Sequence, residues 1–425
     1  MDNNRLAAYY TLYNVEHDDA YSNLAINKEL KCHNVTNSAF VKELVYGVLE
    51  RKYTLDYYIS QLIDRPIKKK KAVLMTLLRM GIYQMKYMDK VPGYSACNET
   101  VQIANKVAGS FYKKFVNGVL REFSRKIDAM KLPEGNSVEA LSIRFSYEPW
   151  IIRLWIEQFG LEAAIDIMKA SNERAELSFR ANTLKTTREA LVYNLTKAGY
   201  DINVSDLSSR AFHGNGELLK TDFFKEGYFS VQDEASIIAV EGLNPKADDK
   251  LLDMCAAPGG KSFAAAEIMD NKGSITASDI YPHKLQLIEN GAKHLGVSII
   301  TPKLQNGLEL VEEYIEKFDK IIVDGPCSGL GVIRRRPEIK YKSIQDNGKE
   351  LSEIQGRLLD NAAAYVVPGG EILYSTCTIN KIENHFQIEN FIKHNNNFKV
   401  IFEKQLLPNV DSTDGFYLCV LQKKE

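Results

Sequence analysis

Two cysteines of the sequence each follow an apolar run with the length of a buried strand. Cys327 lies in Asp324-Gly-Pro-Cys-Ser after residues 320–323, and Cys377 lies in Ser-Thr-Cys-Thr after residues 371–374. A thiolate is a strong nucleophile that can form a covalent bond with a substrate. A lone cysteine is usually only a small buried hydrophobe. Because consecutive parallel strands are often neighbours, two thiols and the Asp324 carboxylate at one sheet edge favour a nucleophilic site.

A glycine-rich turn follows an earlier apolar run, in Asp253-Met-Cys-Ala-Ala-Pro-Gly-Gly-Lys-Ser262. Gly259 and Gly260 allow a ligand to approach the backbone, and the helix that follows offers free N–H groups. The sequence has neither the G-x-G-x-x-G nor the G-x-x-x-x-G-K-[ST] spacing here, which argues against dinucleotide and nucleoside triphosphate sites. Asp279, after the next strand, suits ribose hydroxyls, and Asp253 suits a cationic cofactor such as S-adenosylmethionine. An acid of this kind, taken alone, is more often an N-cap or a surface residue.

The elements that position these residues alternate between strand and helix from residue 236 onward. This rhythm predicts one doubly wound α/β domain over 236–425, with ligands at the carboxyl ends of its strands. The predicted strands of this domain are 250–253, 274–278, 298–301, 320–324, 371–374 and, near the sheet edge, 416–421.

The N-terminal third shows only helical periodicity. Apolar residues recur every three or four positions, which predicts an all-α domain of about six helices over 1–130, with Ser95 as the N-cap of a helix over 97–107. Residues 131–235 mix helical segments with short strands at 177–181 and 228–231, which predicts a linker and a small α+β domain.

Charge is distributed unevenly along the chain. Residues 1–130 hold 20 Lys and Arg against 13 Asp and Glu, a net charge of +7, and the rest of the chain carries −8. A basic module joined to a catalytic module suits a polyanionic partner, although basic domains often serve solubility alone. The basic residues gather in two clusters. These are Arg65 with Lys68–Lys71, and Lys106, Lys113, Lys114, Arg121, Arg125 and Lys126.

Composition narrows the class of protein. The chain has 425 residues, 45% of them hydrophobic and 26% charged, as expected for two or three globular domains. Its six cysteines form no C-x-x-C pair, which argues against a disulfide framework and a zinc site. We find no apolar run long enough to span a bilayer and no signal peptide in Met1-Asp-Asn-Asn-Arg5, so we expect a cytoplasmic protein with no membrane partner and no metal.

Taken together, these motifs resemble those of RNA (cytosine-C5)-methyltransferases of the RsmB/NOP family. The C-terminal motifs are 232–236, 253–262, 324–337, 375–378 with Glu383-Asn384, and 414–417. Residues 91–101 and 115–121 are similar to a NusB-type RNA-binding helical domain, and 177–185 is similar to an RRM-like domain. The resemblance therefore implies three domains: NusB-like (1–130), linker and RRM-like (131–235) and Rossmann-like methyltransferase (236–425).

The resemblance also implies roles for the thiols. Cys377 would add to C6 of cytosine, which makes C5 able to accept a methyl group, and Cys327 would serve release of the product. Asp324 would hold the N3/N4 edge of the base, and Lys261 would contact the base and favour the Cys377 thiolate. DNA cytosine methyltransferases place their nucleophile in a Pro-Cys motif, so the residues alone leave the two thiols interchangeable.

For S-adenosyl-L-methionine the resemblance implies a binding site along the strand ends. Its residues are Asp253, Cys255, Ala256, Ala257, Pro258, Gly259, Gly260, Lys261, Asp279, Asn306 and Asp324. Asn306 stands where the family commonly has Asp, and its amide retains hydrogen-bonding capacity toward adenine.

A NusB-like domain in this family points to 16S ribosomal RNA as the substrate, free or in early assembly. We expect the enzyme to be a monomer. The target cytosine must be unstacked or single-stranded for its ring to be reached. Two alternatives remain open: a non-catalytic NusB-like RNA-binding or antitermination protein, and the same chemistry on transfer RNA. Only the helical domain distinguishes between ribosomal and transfer RNA.

Overall fold

The computed structural model describes residues 2–18, 20–65, 67, 72–342 and 348–425. Contacts divide the chain into two compact units, Met1–Asn172 with Ile333–Ser343, and Glu173–Val332 with Ile344–Glu425. The chain therefore leaves the second unit after Val332 and returns to it before the helix that starts at Lys349. The three-domain division with boundaries at 130 and 235 stays a prediction.

The first unit is helical in the residues that the structure describes. Its α-helices are α1 Asn3–His17, α2 Ser22–Cys32, α3 Ser38–Glu50, α4 Lys52–Ser60, α5 Ala72–Tyr87, α6 Gly93–Val107, α7 Ser110–Lys126, α8 Val138–Phe145, α9 Pro149–Phe159 and α10 Leu161–Ala170. A 3₁₀ helix at Pro337–Tyr341 also belongs to it. The apolar faces at helical spacing pack into one core that includes Leu12, Leu44, Leu77 and Leu120, as the periodicity predicts.

Two details of the helical prediction differ from the structure. The described part of 1–130 holds seven helices rather than about six. Ser95 is not an N-cap, because α6 begins at Gly93, and the carbonyl of Pro92 already accepts hydrogen bonds from the amides of Ser95 and Ala96 at 2.9 and 3.0 Å. Ser95 therefore lies inside the first turn of the helix.

The second unit begins with an antiparallel sheet of strand order β2-β3-β1-β4. Its strands are β1 Leu177–Ala181, β2 Asn203–Val204, β3 Ala211–Gly214 and β4 Phe229–Val231, accompanied by α11 Arg188–Lys197, a 3₁₀ helix at Gly216–Lys220 and α12 Asp222–Lys225. Phe179, Phe212 and Phe229 are fully buried beneath the sheet and pack with one another. The strands predicted at 177–181 and 228–231 are confirmed.

A larger sheet of seven strands follows, in the order β10-β11-β9-β8-β5-β6-β7. Its strands are β5 Lys250–Asp253, β6 Ser274–Asp279, β7 Ile300–Leu304, β8 Phe318–Val323, β9 Val366–Thr376, β10 Phe398–Leu406 and β11 Phe416–Lys423. The helices of this domain are α13 Glu234–Leu243, α14 Gly260–Ile268, α15 Pro282–Leu295, α16 Lys349–Tyr365 and α17 His385–His394. A short 3₁₀ helix lies at Glu312–Tyr314.

Strands β5 to β9 pair in parallel, and β9, β11 and β10 pair antiparallel. The doubly wound α/β prediction is confirmed, including the place of β11 near the edge. The edge strand itself, β10, was not predicted, and most of its residues face solvent, so its sequence lacks the apolar run of a buried strand.

Strand order places the predicted site residues at one sheet edge. β8 lies between β9 and β5, so residues 324–327, the turn after Asp253 and Cys377 all follow neighbouring parallel strands. The register pairs Val323 of β8 with Tyr374 of β9, so both strands end at a similar level.

None of the described helices is both long and apolar enough to cross a membrane.

Candidate active site

Contacts among its own residues fix the conformation of the turn between β5 and α14. Asp253, 1% exposed, accepts a hydrogen bond from Ser262 Oγ at 2.6 Å. Gly259 has φ of +109°, and a Cβ there would stand 2.4 Å from the ring of Phe263. Both constraints require glycine, which brings the chain sharply into the first turn of α14. The glycine-rich turn is therefore held close to the strand end, as expected for a ligand-binding loop.

Burial alters the electrostatics of this turn. Desolvation raises the pKa of Asp253 to about 6, and the charge of Asp324 adds to the effect. Burial likewise raises the pKa of Cys255 to about 12, so this thiol remains protonated at neutral pH. Among the described residues, no group donates a hydrogen bond to Asp253 Oδ1.

Lys261 and Asp324 form an ion pair in front of the strand ends. Lys261 Nζ lies 2.6 Å from Asp324 Oδ2, and Ser375 Oγ donates to Asp324 Oδ1 at 2.8 Å. Burial disfavours the ammonium, but the charge and hydrogen bond of Asp324, together with the charges of Asp253 and Cys377, outweigh it and raise the pKa of Lys261. Because a charge on Cys377 contributes to this shift, the cation lies within electrostatic reach of that thiol.

The two predicted thiols meet. Cys327 Sγ and Cys377 Sγ lie 3.2 Å apart, and both cysteines are half-buried rather than enclosed in separate cores. The contact with Cys377, together with burial, raises the pKa of Cys327 well above its ordinary value. The pairing that the sequence placed at one sheet edge is therefore present as direct contact.

Buried polar residues hold the two cysteine loops against each other. Ser328 Oγ lies 2.7 Å from Thr378 Oγ1, so the residues that follow the two cysteines are bonded to each other. The amide of Gly331 donates to the carbonyl of Cys377 at 3.0 Å. A Cβ at Gly331 would stand 1.8 Å from the carbonyl of Gly415, so only glycine fits this crossing of loops.

Two predicted cofactor residues have contacts within their own loops. Asp279 Oδ1 accepts from the amide of Tyr281 at 3.0 Å and lies 3.5 Å from Lys284 Nζ. Asn306 accepts from the amide of Leu308 at 3.1 Å and donates to Glu309 Oε1 at 3.0 Å. Asp279 is the last residue of β6, and Asn306 follows β7, which pairs with β6 in parallel. The contacts of Asn306 with adenine and of Asp279 with ribose stay predictions.

These residues fit a cationic cofactor at the turn. Asp253 offers a carboxylate oxygen without a donor in the described structure, the glycines leave the backbone open to approach, and α14 begins at Gly260. Cys255, Ala256, Ala257 and Pro258 are the intervening residues of the same turn, and the amide of Ala256 donates to the carbonyl of Ser278 on β6 at 2.8 Å. The predicted cofactor residues from 253 to 261 thus form one continuous segment.

Sequence reasoning missed several residues that shape the site. Ser262 and Ser375 bond to the two acids, and Gln355 and Glu383 bond to the loop of Cys327. Ser262, Ser375 and Glu383 were noted only as parts of motifs, without a role, and Gln355 was not noted. Their signal in the sequence is weak, because a serine or glutamine in a helix or strand has no chemistry that distinguishes it from a surface residue.

Comparison with known proteins shows the family to which this chain belongs. Sequence models of three families match the chain: 16S rRNA methyltransferase RsmB/F over residues 240–422, the NusB family over 2–125 and the RsmF/B-like ferredoxin-like domain over 147–214. A protein of Bacillus subtilis named "Probable ribosomal RNA small subunit methyltransferase B" is 37% identical over 98% of both chains. The chain belongs to the RsmB/F methyltransferase family.

Solved structures agree with the RsmB/F fold. A methyltransferase homologue from Pyrococcus horikoshii is 27% identical with a TM-score of 0.62, and the superposition covers 68% of this chain and 100% of the homologue's chain. NSun6 from the same organism, solved with SFG, has a TM-score of 0.60 at 23% identity and covers 65% of this chain and 98% of its own. The RsmB/F assignment confirms the NusB-like, ferredoxin-like and methyltransferase architecture.

Proposed function

We propose that the protein transfers a methyl group from S-adenosyl-L-methionine to C5 of a specific cytosine in 16S ribosomal RNA. The observation that carries the proposal is the 3.2 Å contact of two half-buried thiols beside the Lys261–Asp324 pair. The names of the relatives support ribosomal RNA as the substrate class. The SFG, an analogue of S-adenosylmethionine, in the NSun6 structure supports the cofactor.

The cofactor would be held by the turn after β5 and by residues at the ends of β6 and β7. In this proposal the Asp253 carboxylate and the backbone of Gly259 and Gly260 bind it, and Asp279 and Asn306 orient its ribose and adenine. When bound, S-adenosylmethionine supplies an electrophilic methyl group.

The chain's own residues act on the base. Cys377 adds to C6 of cytosine, which gives C5 the electron density to be methylated. Asp324 hydrogen-bonds the N3/N4 edge and favours the protonated ring, and Lys261 holds that carboxylate in place at 2.6 Å. Cys327 serves the release step, in which C5 gives up its proton to solvent, the double bond between C5 and C6 re-forms, and the bond between C6 and Cys377 Sγ breaks with its electron pair returning to sulfur as a thiolate.

The proposal also covers the setting of the reaction. The enzyme would act as a monomer in the cytoplasm, on free or early-assembly 16S ribosomal RNA whose target base is unpaired. It would use neither a metal nor a membrane partner.

Bisulfite sequencing of total RNA from cells with and without the gene tests this function. We expect one methylated cytosine in 16S ribosomal RNA to be lost, and to return when the gene is supplied again. Loss of a transfer RNA position instead would move the substrate to transfer RNA. An unchanged methylation map would favour a non-catalytic RNA-binding protein.

A further inference from the structure

The peptide segment that carries Cys327 is bonded on both sides of the cysteine. Gln355, on α16, donates from Nε2 to the carbonyl of Pro326 at 2.9 Å. Glu383, between β9 and α17, accepts from the amide of Ser328 at 2.8 Å through Oε2. The two residues next to Cys327 in the chain are therefore each fixed by a different side chain.

The two side chains that make these bonds also bind each other. Gln355 Nε2 lies 3.1 Å from Glu383 Oε2, and Tyr374 Oη lies 3.0 Å from Gln355 Oε1 and 2.6 Å from the carbonyl of Glu383. Asn380 donates to Glu383 Oε1 at 3.0 Å. Gln355 and Glu383 are both 0% exposed. Their positions are thus fixed from several directions.

Burying this carboxylate is costly, and stability alone does not require it. Desolvation disfavours a buried charge and raises the pKa of Glu383. An apolar side chain of similar volume would avoid this cost, but it could not accept from Ser328, Gln355 and Asn380 together. The bonds converge on the segment of Cys327, whose thiol contacts Cys377, rather than on a distant part of the sheet.

We infer that Gln355 and Glu383 are positioning residues that hold the Cys327 thiol against Cys377, so that Cys327 can act in product release. The inference deepens the proposed function and rests on it for the release step, whereas the placement of the thiol is independent of any substrate. Neither residue contacts Cys377 in this network, so we expect the covalent addition of Cys377 to the base to persist when either is replaced.

The test uses the full-length protein with Gln355→Met and Glu383→Gln. Methionine has a similar length but donates no hydrogen bond to Pro326, and glutamine leaves one carbonyl oxygen for three donors. Glu353→Gln is the matched control, because Glu353 is exposed on the same helix as Gln355. Thermal unfolding identifies any variant that fails to fold. If one of the two variants fails to fold, the other one tests the inference.

Dibromobimane, a short reagent that alkylates two nearby thiols, reports placement without RNA or cofactor. Mass spectrometry of the bridged peptides follows the Cys327–Cys377 product. We expect bridging in the parent and the Glu353→Gln control, and at least tenfold slower bridging in both positioning variants. Failure of the parent to bridge, or equal rates in the folded variants, would overturn the inference.

Turnover on 16S ribosomal RNA then tests the consequence for release. We expect kcat to fall at least tenfold with little change in KM, and a covalent protein–RNA adduct to build up on denaturing gels. Slow bridging with unchanged turnover and no adduct would overturn the role in release. If the parent neither methylates RNA nor forms an adduct, yet bridging still depends on Gln355 and Glu383, the proposed function fails while their role in placing the thiol stands.

Discussion

At the scale of single residues, the site is defined by an asymmetry between two thiols in contact. Cys327 has a pKa well above its ordinary value and is bonded through both neighbours in the chain, whereas Cys377 lies within electrostatic reach of Lys261. The sequence motifs alone do not show which of the two thiols is the nucleophile. We propose Cys377 as the thiol that adds to the base.

Replacement of each cysteine separates their roles. We expect Cys377→Ala to abolish methylation, because no thiol then adds to C6. Cys327→Ala should still form the covalent adduct and accumulate it, because release is lost. Denaturing gels of enzyme mixed with 16S ribosomal RNA and S-adenosylmethionine measure the adduct, and Cys419→Ala, a buried cysteine on β11, is the control. An adduct that accumulates in Cys377→Ala and not in Cys327→Ala would reverse the assignment.

The pKa of Asp253 predicts a dependence of stability on pH. Because burial raises this pKa from 3.8 to about 6 in the folded state, folding favours the protonated carboxyl. The stabilisation that Asp253 contributes is complete below about pH 4 and is lost as the pH rises through about 6. Its size is of the order of 3 kcal/mol, from about 1.4 kcal/mol for each pKa unit.

Asp253→Asn isolates this effect, because asparagine is neutral at every pH and can still accept from Ser262. We expect the melting temperature of the parent to fall relative to that of Asp253→Asn between pH 4 and 6. Differential scanning calorimetry at several pH values measures it, and other carboxyl groups cancel in the difference. A constant difference across this range would show that the pKa of Asp253 is not raised.

At the scale of elements, the 3₁₀ helix Pro337–Tyr341 is an unexpected part of the helical unit. Lys340 is 0% exposed and donates to the carbonyls of Glu50 and Phe145 at 2.7 and 3.0 Å and to Asn172 Oδ1 at 2.8 Å. Glu50 and Phe145 are the last residues of α3 and α8, so Lys340 Nζ satisfies carbonyls at two helix ends. The role of Lys340 is therefore structural.

Removal of this buried amino group should destabilise the helical unit. We expect Lys340→Met to cost about 2–5 kcal/mol, because three buried oxygen atoms lose their donor. Hydrogen exchange at the last turns of α3 and α8 measures the loss locally, and urea unfolding measures it overall. Lys342→Met, at an exposed position, should change stability by less than about 0.5 kcal/mol. Equal protection in the two variants would contradict the capping role.

At the scale of the whole molecule, the structure shows where the basic residues of the N-terminal third lie. The second basic cluster lies on exposed positions of α6 and α7, such as Lys113, Lys114 and Arg121, as a surface for a polyanion requires. Arg125 and Lys126 pair with Glu122. Of the first cluster, Lys68–Lys71 lie outside the described residues.

The second unit also joins its two sheets through a buried ion pair. Arg180 on β1 makes two bonds of 2.8 Å with Glu267 on α14 and a third of 3.1 Å with the carbonyl of Gly260, the first residue of that helix. Both charged side chains are fully buried. The small antiparallel sheet therefore helps to hold the glycine-rich turn in place, a link that the sequence does not reveal.

The sequence by itself determined the α/β rhythm of the C-terminal part, the helical N-terminal part and the motifs that carry Cys327, Cys377 and Asp253. These features are local, because periodicity, turn chemistry and motif spacing depend on neighbouring residues. Only the tertiary structure decided that the thiols touch, that Gln355 and Glu383 hold one of them, and that Lys340 caps two helices. Such contacts join residues tens to hundreds of positions apart, and strand order and packing, rather than periodicity, bring them together.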